Sequence, residues 1–188
     1  MDAPRALAAA RAALAEAAAE LAAAGARPEQ VATTVAAHRA LGFIPVREKL
    51  RRTGEGFLLG ALLATRDGDV LDPGRIVRAS RQVLPGHQSA SAQERRALRQ
   101  TALDSGFDEG ETLVLDSRAI PLDDPEAMRA ERGPLVLRET ESGELEVLVR
   151  WIPTAPDSAL RPLAAYLAER VDLARGALVA ARAESEHP

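Results

Sequence analysis

A long stretch rich in alanine and leucine, residues 3–24, constrains the fold of this chain more than any other feature. Alanine has the highest helix propensity of all residues, so the stretch predicts a helix of about six turns. Asp2 is placed to cap its first turn, and Pro4 suits a position where a backbone N–H is not needed. Gly25, followed by Pro28, predicts where the helix stops.

This helix carries a leucine seam. Leu7, Leu14 and Leu21 recur every seven residues, and the alanines between them allow another helix to approach closely. The sequence leaves the position of that second helix open. It lies either within the same chain or in a second copy, where the three leucines would form a helix–helix interface.

Residues 28–41 repeat a helical spacing. Val31, Val35 and His38 recur at i, i+4 and i+7, which predicts a second helix and, with the first, a helical hairpin over residues 3–41. On such a face we expect His38 to be a hydrogen-bonded core residue rather than a metal ligand.

The remaining elements alternate between hairpins and helices. The apolar run 57–65 predicts a central strand that returns through 70–71 and 76–77 after a turn at Asp67-Gly68. A second hairpin is predicted from 135–139 and 145–151 around Ser142-Gly143. The other predicted elements are a helix opened by a capping box at Ser91 and ending near Ser105, a short strand at 112–115, one helical turn within 123–132 and a final helix from Pro162 to about Arg182.

This order predicts the α+β class, because hairpins favour a mainly antiparallel sheet. We expect one domain over residues 1–183. Its parts are the helical hairpin 3–41, a sheet with one crossing helix over 43–152 and the C-terminal helix 162–182, followed by a frayed tail at 184–188.

The distribution of charge points to a partner. Residues 1–100 carry 15 basic and 10 acidic side chains, whereas residues 101–188 carry 9 and 18, which gives net charges of +5 and −9. The acidic region 104–146 can dock on the basic region of a second copy, or it can face that region within one chain.

No catalytic or cofactor motif stands out. The chain has no cysteine, which excludes disulfides and thiolate chemistry, and it lacks a Gly-x-Ser-x-Gly elbow and a Ser-x-x-Lys pair. His87 lies in a flexible connection, Asp67-Gly68-Asp69 is read as a hairpin turn, and we expect no metal site and no cofactor. With five aromatic residues, base stacking on nucleic acid is not expected.

A basic stretch remains as a candidate binding site. If the first hairpin brings its side chains together, arginine forks there suit a carboxylate or phosphate. The candidate anion-binding residues are Arg47, Lys49, Arg52, Arg75, Arg78 and Arg81. Duplex DNA is a weaker hypothesis, since the whole chain is acidic and shows no helix-turn-helix signature.

No apolar run reaches the ~20 residues needed to cross a membrane, and residues 6–24 lack the basic region that begins a signal peptide. We therefore expect a cytoplasmic protein that does not contact membranes.

Three stretches, residues 42–52, 106–112 and 162–171, resemble a group of small uncharacterised actinobacterial proteins, some of which carry the automatic label "glutaminase". Serine-dependent glutaminases use a Ser-x-x-Lys nucleophile and amidotransferase-type glutaminases use a cysteine. Both are absent here, so the resemblance carries over no catalytic residue.

The first functional hypothesis is therefore a non-enzymatic protein that acts through protein–protein contacts as a homodimer. The second is a domain that binds a small anionic ligand, or an enzyme domain, using the arginine-rich first hairpin. The third is DNA binding.

Overall fold

The computed structural model describes residues 2–40, 43–81, 89–130, 133–140 and 142–185. In chain order the helices and strands are α1 (Ala3–Ala23), β1 (Glu29–Val35), β2 (His38–Ala40), β3 (Ile44–Val46), β4 (Lys49–Leu59), β5 (Leu62–Ala64), β6 (Val70–Asp72), β7 (Arg75–Arg78), α2 (Ala90–Asp104), β8 (Thr112–Leu115), β9 (Arg118–Ala119), α3 (Pro125–Ala130), β10 (Leu135–Glu139), β11 (Leu145–Val149), a 3₁₀ helix (Asp157–Ala159), β12 (Arg161–Pro162) and α4 (Leu163–Ser185). The predicted α+β class, with an N-terminal helix and a long C-terminal helix, is confirmed.

The chain divides into two compact units. Unit 1 is made of residues 1–28, 56–72 and 118–188, and unit 2 is made of residues 29–55 and 73–117. The single domain expected over 1–183 stays a prediction.

Helix α1 forms for the predicted reasons and supplies much of the core of unit 1. The Asp2 carboxylate accepts a hydrogen bond from the Arg5 amide at 3.0 Å, which caps the first turn. Leu7, Leu14 and Leu21 are all buried, and α1 packs on α4 and β11 of the same chain. Each buried leucine stabilises the fold by about 1.5–3 kcal/mol. The partner of the leucine seam thus lies within the chain.

The predicted helix over residues 28–41 is wrong. The described part of this segment forms β1 and β2, and β1 pairs in parallel with β8, with Val31 opposite Val114. Thr33 and Thr34 add β-branched side chains that favour a strand, and the short apolar pattern fits either period. His38 is exposed rather than in the core, with its ring Nδ1 3.2 Å from the Ala36 carbonyl.

The apolar run 57–65 is also not one strand. It is a tight hairpin, in which β4 ends at Leu59 and β5 begins at Leu62, with Phe57 opposite Ala64. The turn uses Gly60 at φ +67°, a conformation that favours glycine. Because nearly every residue of the run is apolar, the sequence pattern does not show where it turns.

A tyrosine from α4 holds this turn in unit 1. The Tyr166 hydroxyl donates a hydrogen bond to the Leu59 carbonyl at 2.9 Å and accepts one from the Ala61 amide at 2.9 Å. The side chain of Tyr166 is 1% exposed, and a Cβ added at Gly60 would lie 2.3 Å from its oxygen. The turn therefore depends on both the tyrosine hydroxyl and the glycine.

Unit 1 also contains the hairpin β10–β11, which is antiparallel, as predicted, and continues to β12. Helix α4 begins after Pro162 as expected but extends to Ser185, so residues 184 and 185 are helical rather than frayed. Residues 186–188 lie outside the described part of the chain.

In unit 2, β8 pairs with β1 on one side and with β7, antiparallel, on the other. The prediction that residues 76–77 belong to the return strand of the first hairpin is therefore wrong, because β7 pairs with β8 and does not continue β6. Gly74 lies at the break, where an added Cβ would meet the Leu115 carbonyl oxygen at 2.1 Å. Helix α2 covers a core in which Leu50, Phe107 and Leu113 are buried.

We expect Tyr166→Phe to lower the free energy of unfolding by about 1–3 kcal/mol, because the Leu59 carbonyl and the Ala61 amide lose their buried partner. Urea denaturation measures this change. Ser142→Ala is the control, since it removes an exposed hydroxyl that contacts Thr140 at 2.8 Å. Its effect should stay below about 0.5 kcal/mol, and equal losses in the two variants would contradict the role assigned to the tyrosine.

Candidate interaction surfaces

Four of the six residues predicted to bind an anion are held by residues 109–116 of the same unit. The contacts are Arg52 Nη2 to Glu111 Oε2 (2.9 Å), Arg75 Nη2 to Asp116 Oδ2 (2.7 Å), Arg81 Nε to Glu109 Oε2 (3.3 Å) and Arg78 Nε to the Gly110 carbonyl (3.2 Å). An external anion must therefore compete with a carboxylate at three of these four arginines. Residues 109–116, which are one part of the acidic region 104–146, thus contact part of the basic region within one chain.

The other two, Arg47 and Lys49, lie on a surface that keeps its positive charge. Lys49 and Arg51 share a face of β4, because strand side chains alternate. Arg39 lies on β2, opposite Pro45 of β3. We call the four cations of residues 39–51, which lie on β2, on β4 and in the chain between β3 and β4, the basic surface: Arg39, Arg47, Lys49 and Arg51. All four are exposed, and none forms an ion pair with another residue that the structure describes.

Sequence reasoning missed Arg39 as part of this surface. The residue lies inside the segment predicted to be helical, and only the β2–β3 pairing places it opposite the chain that leads to Arg47. Glu48, also exposed, lies between Arg47 and Lys49 and offsets one positive charge.

In unit 1, α1 and α4 run side by side and parallel. Near their beginnings, Ala6 and Leu163 line one cavity. Further along, Arg175 Nη1 lies 3.6 Å from Glu20 Oε2, and Arg182 Nη2 donates to the Ala24 carbonyl at 2.7 Å. The shared direction means that the two helices form a continuous groove rather than a single crossing point.

This groove has an apolar floor and an acidic rim. It comprises two adjoining cavities of about 150 and 370 Å³, which share Ala13 and Ala164. We call it the acidic groove. Its floor includes Ala6, Ala10, Ala13, Ala17, Ala164 and Ala168, and its acidic lining residues are Glu16, Glu20, Glu146 and Asp172. No sequence pattern connects these four acids, because the fold brings them together from three separate elements.

The charges of the groove are mostly unmatched. Glu20 pairs with Arg175, whereas Glu16, Glu146 and Asp172 form no ion pair with any described residue. By contrast, the leucines of the predicted helix–helix interface lie at 3%, 0% and 2% exposure in the core, so they offer no surface to a second copy.

The segment after β11 presents two large apolar side chains, Trp151 and Ile152, at 46% and 40% exposure. The Arg150 side chain, which is 8% exposed, anchors this segment. It donates hydrogen bonds to the Ala155 carbonyl and, at 2.7 Å, to the Asp157 carboxylate. The hydrogen bond from Arg150 holds the pKa of Asp157 below its usual value.

Several sequence expectations lie outside these surfaces. His87 falls outside the described residues. In the described part of the chain, no three histidine, aspartate or glutamate side chains cluster as a metal site. No helix formed by residues that the structure describes is long and apolar enough to cross a membrane.

Comparison with known proteins adds no relative. No protein-family model, no curated protein and no solved structure matches this chain. The resemblance to an actinobacterial group therefore stays a prediction.

We expect Asp157→Asn to destabilise the protein at neutral pH, because Arg150 loses a charged partner. Since the pKa of Asp157 is lowered by folding, its contribution is present above the ordinary aspartate pKa and is lost as the pH falls through the folded value. The stability gap between the wild type and the variant should thus begin to narrow below about pH 4 and decrease further as the pH falls. Urea denaturation between pH 7 and pH 3 measures it.

Asp123→Asn serves as the control, because Asp123 is exposed and has no ion pair to a described residue. If this variant shows the same dependence on pH as Asp157→Asn, the effect does not come from the Arg150 contact.

Proposed function

We propose that this chain acts through protein–protein contacts, as a homodimer held by surfaces of opposite charge. The observation that carries the proposal is the basic surface, whose four cations lack an acidic partner among the described residues. The two units also differ in sign. Unit 2 contains 11 basic and 9 acidic residues, and unit 1 contains 13 and 19, which gives net charges of +2 and −6.

Binding of a small anion has less support. Arg52, Arg75 and Arg81 already hold carboxylates, so they are not free for a ligand. The two cavities of unit 1 are lined by carboxylates and contain no arginine, which is the opposite of what an anion requires.

Charge complementarity within one type of chain favours self-assembly. A symmetric dimer uses each surface twice, so one basic and one acidic surface are enough for two identical contacts. Contacts between exposed charges weaken as salt rises, because the screening length falls from about 10 Å at 0.1 M to about 3 Å at 1 M. Dimerisation should therefore depend on ionic strength.

The test is light scattering on a size-exclusion column at low and high salt. The monomer has a mass of 20.0 kDa, so we expect a species of about twice that mass at low salt, which dissociates at 1 M salt. Lys49→Gln with Arg51→Gln should weaken dimerisation about fourfold or more, since each exposed ion pair contributes about 0.2–1 kcal/mol and each charge occurs twice.

Arg75→Gln with Arg81→Gln is the matched control, because it removes the same formal charge from side chains that already hold carboxylates. It should leave the dimer intact. A monomer throughout the micromolar range would overturn the proposal. A dimer indifferent to salt would contradict the role of charge, and salt-dependent binding of duplex DNA by the monomer would favour the third hypothesis instead.

A further inference from the structure

We infer that the acidic groove is the surface on which the basic surface of a second copy docks. The inference rests on the proposed homodimer and names the acidic half of its interface. Its occupant is a second copy of this chain.

The shape of the groove suits long cationic side chains. From Ala6 to Glu20, α1 rises about 21 Å alongside α4, and the floor between them is apolar, formed by alanines together with leucines and valines. Arginine and lysine place their aliphatic stems along apolar surface while their charged ends reach toward polar groups. The apolar floor of the groove can contact the aliphatic stem of such a side chain, and the carboxylates above the floor can pair with its charged end.

The charges match in number as well as in sign. Glu16, Glu146 and Asp172 are the unmatched carboxylates of the groove. The basic surface carries four cations and is offset by Glu48, so its net charge is +3. Docking the two surfaces pairs three unmatched negative charges with three net positive ones, without breaking an ion pair within either unit.

The same charges argue against the groove as a self-complementary contact. Packing one acidic groove against another would bring Glu16 and Asp172 of one copy toward the same residues of its partner. Opposed like charges across an interface are unfavourable. The groove therefore calls for a cationic occupant, and the basic surface is an exposed cationic patch of unit 2 that keeps its charge.

A charge-exchange experiment tests the pairing. The groove variant is Glu16→Lys with Asp172→Lys, and the basic-surface variant is Lys49→Glu with Arg51→Glu. Each variant alone faces like charges at both contacts of a symmetric dimer and should run as a monomer at low salt. Mixed in equal amounts, the two variants have matched charges at both contacts, so the mixture should form a heterodimer of about twice the monomer mass.

Asp123→Lys with Glu139→Lys is the control for charge alone. It makes the same change on unit 1 with exposed acids that do not line the groove, and it should dimerise as the wild type does. Circular dichroism of each variant checks that the helices are retained. If the helices of the groove variant are lost, Glu16→Gln with Asp172→Asn is measured alone instead. It should weaken dimerisation as Lys49→Gln with Arg51→Gln does, and a dimer of unchanged affinity would contradict the inference.

The outcomes separate the two proposals. If the basic-surface variant is monomeric but the groove variant still dimerises, the groove is not the docking site and the homodimer stands. If both variants are monomeric and their mixture stays monomeric, the pairing of these two surfaces is wrong. If the wild type never dimerises, the proposed function itself fails. Only recovery of the dimer in the mixture supports the inference.

Discussion

Burial of the leucine face of α1 is the interaction on which unit 1 depends. It aligns α1 with α4 over most of their length and also seats the β5–β6 turn, where an added Cβ at Gly68 would lie 2.5 Å from the Arg11 carbonyl oxygen. Leucine and alanine together form the buried face of α1, and alanine and glutamate occupy the face that is turned to solvent. The groove and its negative rim thus follow from the same periodicity that forms the core.

In unit 2, some of the charged side chains form ion pairs, and others form none with a residue that the structure describes. Its acidic segment, residues 109–116, neutralises arginines of β4 and β7 and of the chain after β7, while the opposite face of β4 keeps Lys49 and Arg51 without an ion pair to a described residue. Alternation along one strand explains the difference, since Arg52 points to the side where its guanidinium lies 4.7 Å from the Phe107 ring centre. A strand can therefore be neutral on one face and cationic on the other.

Local signals account for what could be predicted. Capped or strongly periodic segments, such as α1 and the hairpin β10–β11, were predicted with nearly correct bounds. The predictions for residues 28–41 and 57–65 were wrong. A short apolar pattern, as in 28–41, fits both the helical and the strand period. A run of almost only apolar residues, as in 57–65, does not show where the chain turns. The Tyr166 contact spans 107 residues of sequence, and the groove joins Glu16 to Asp172. Contacts between residues that lie so far apart in the sequence produce no local sequence pattern from which they could be predicted.

The path of the chain between the units has a consequence for biosynthesis. Unit 1 is assembled from three segments and unit 2 from two, so the chain passes from one unit to the other four times. Helix α1 is synthesised before α4, which follows about 140 residues later, and this takes on the order of 10 s at typical rates of translation. All of unit 2 is synthesised within that interval. During it, the leucines of α1 lack their contact with α4, so this apolar stripe is open to non-native contacts until α4 has been synthesised.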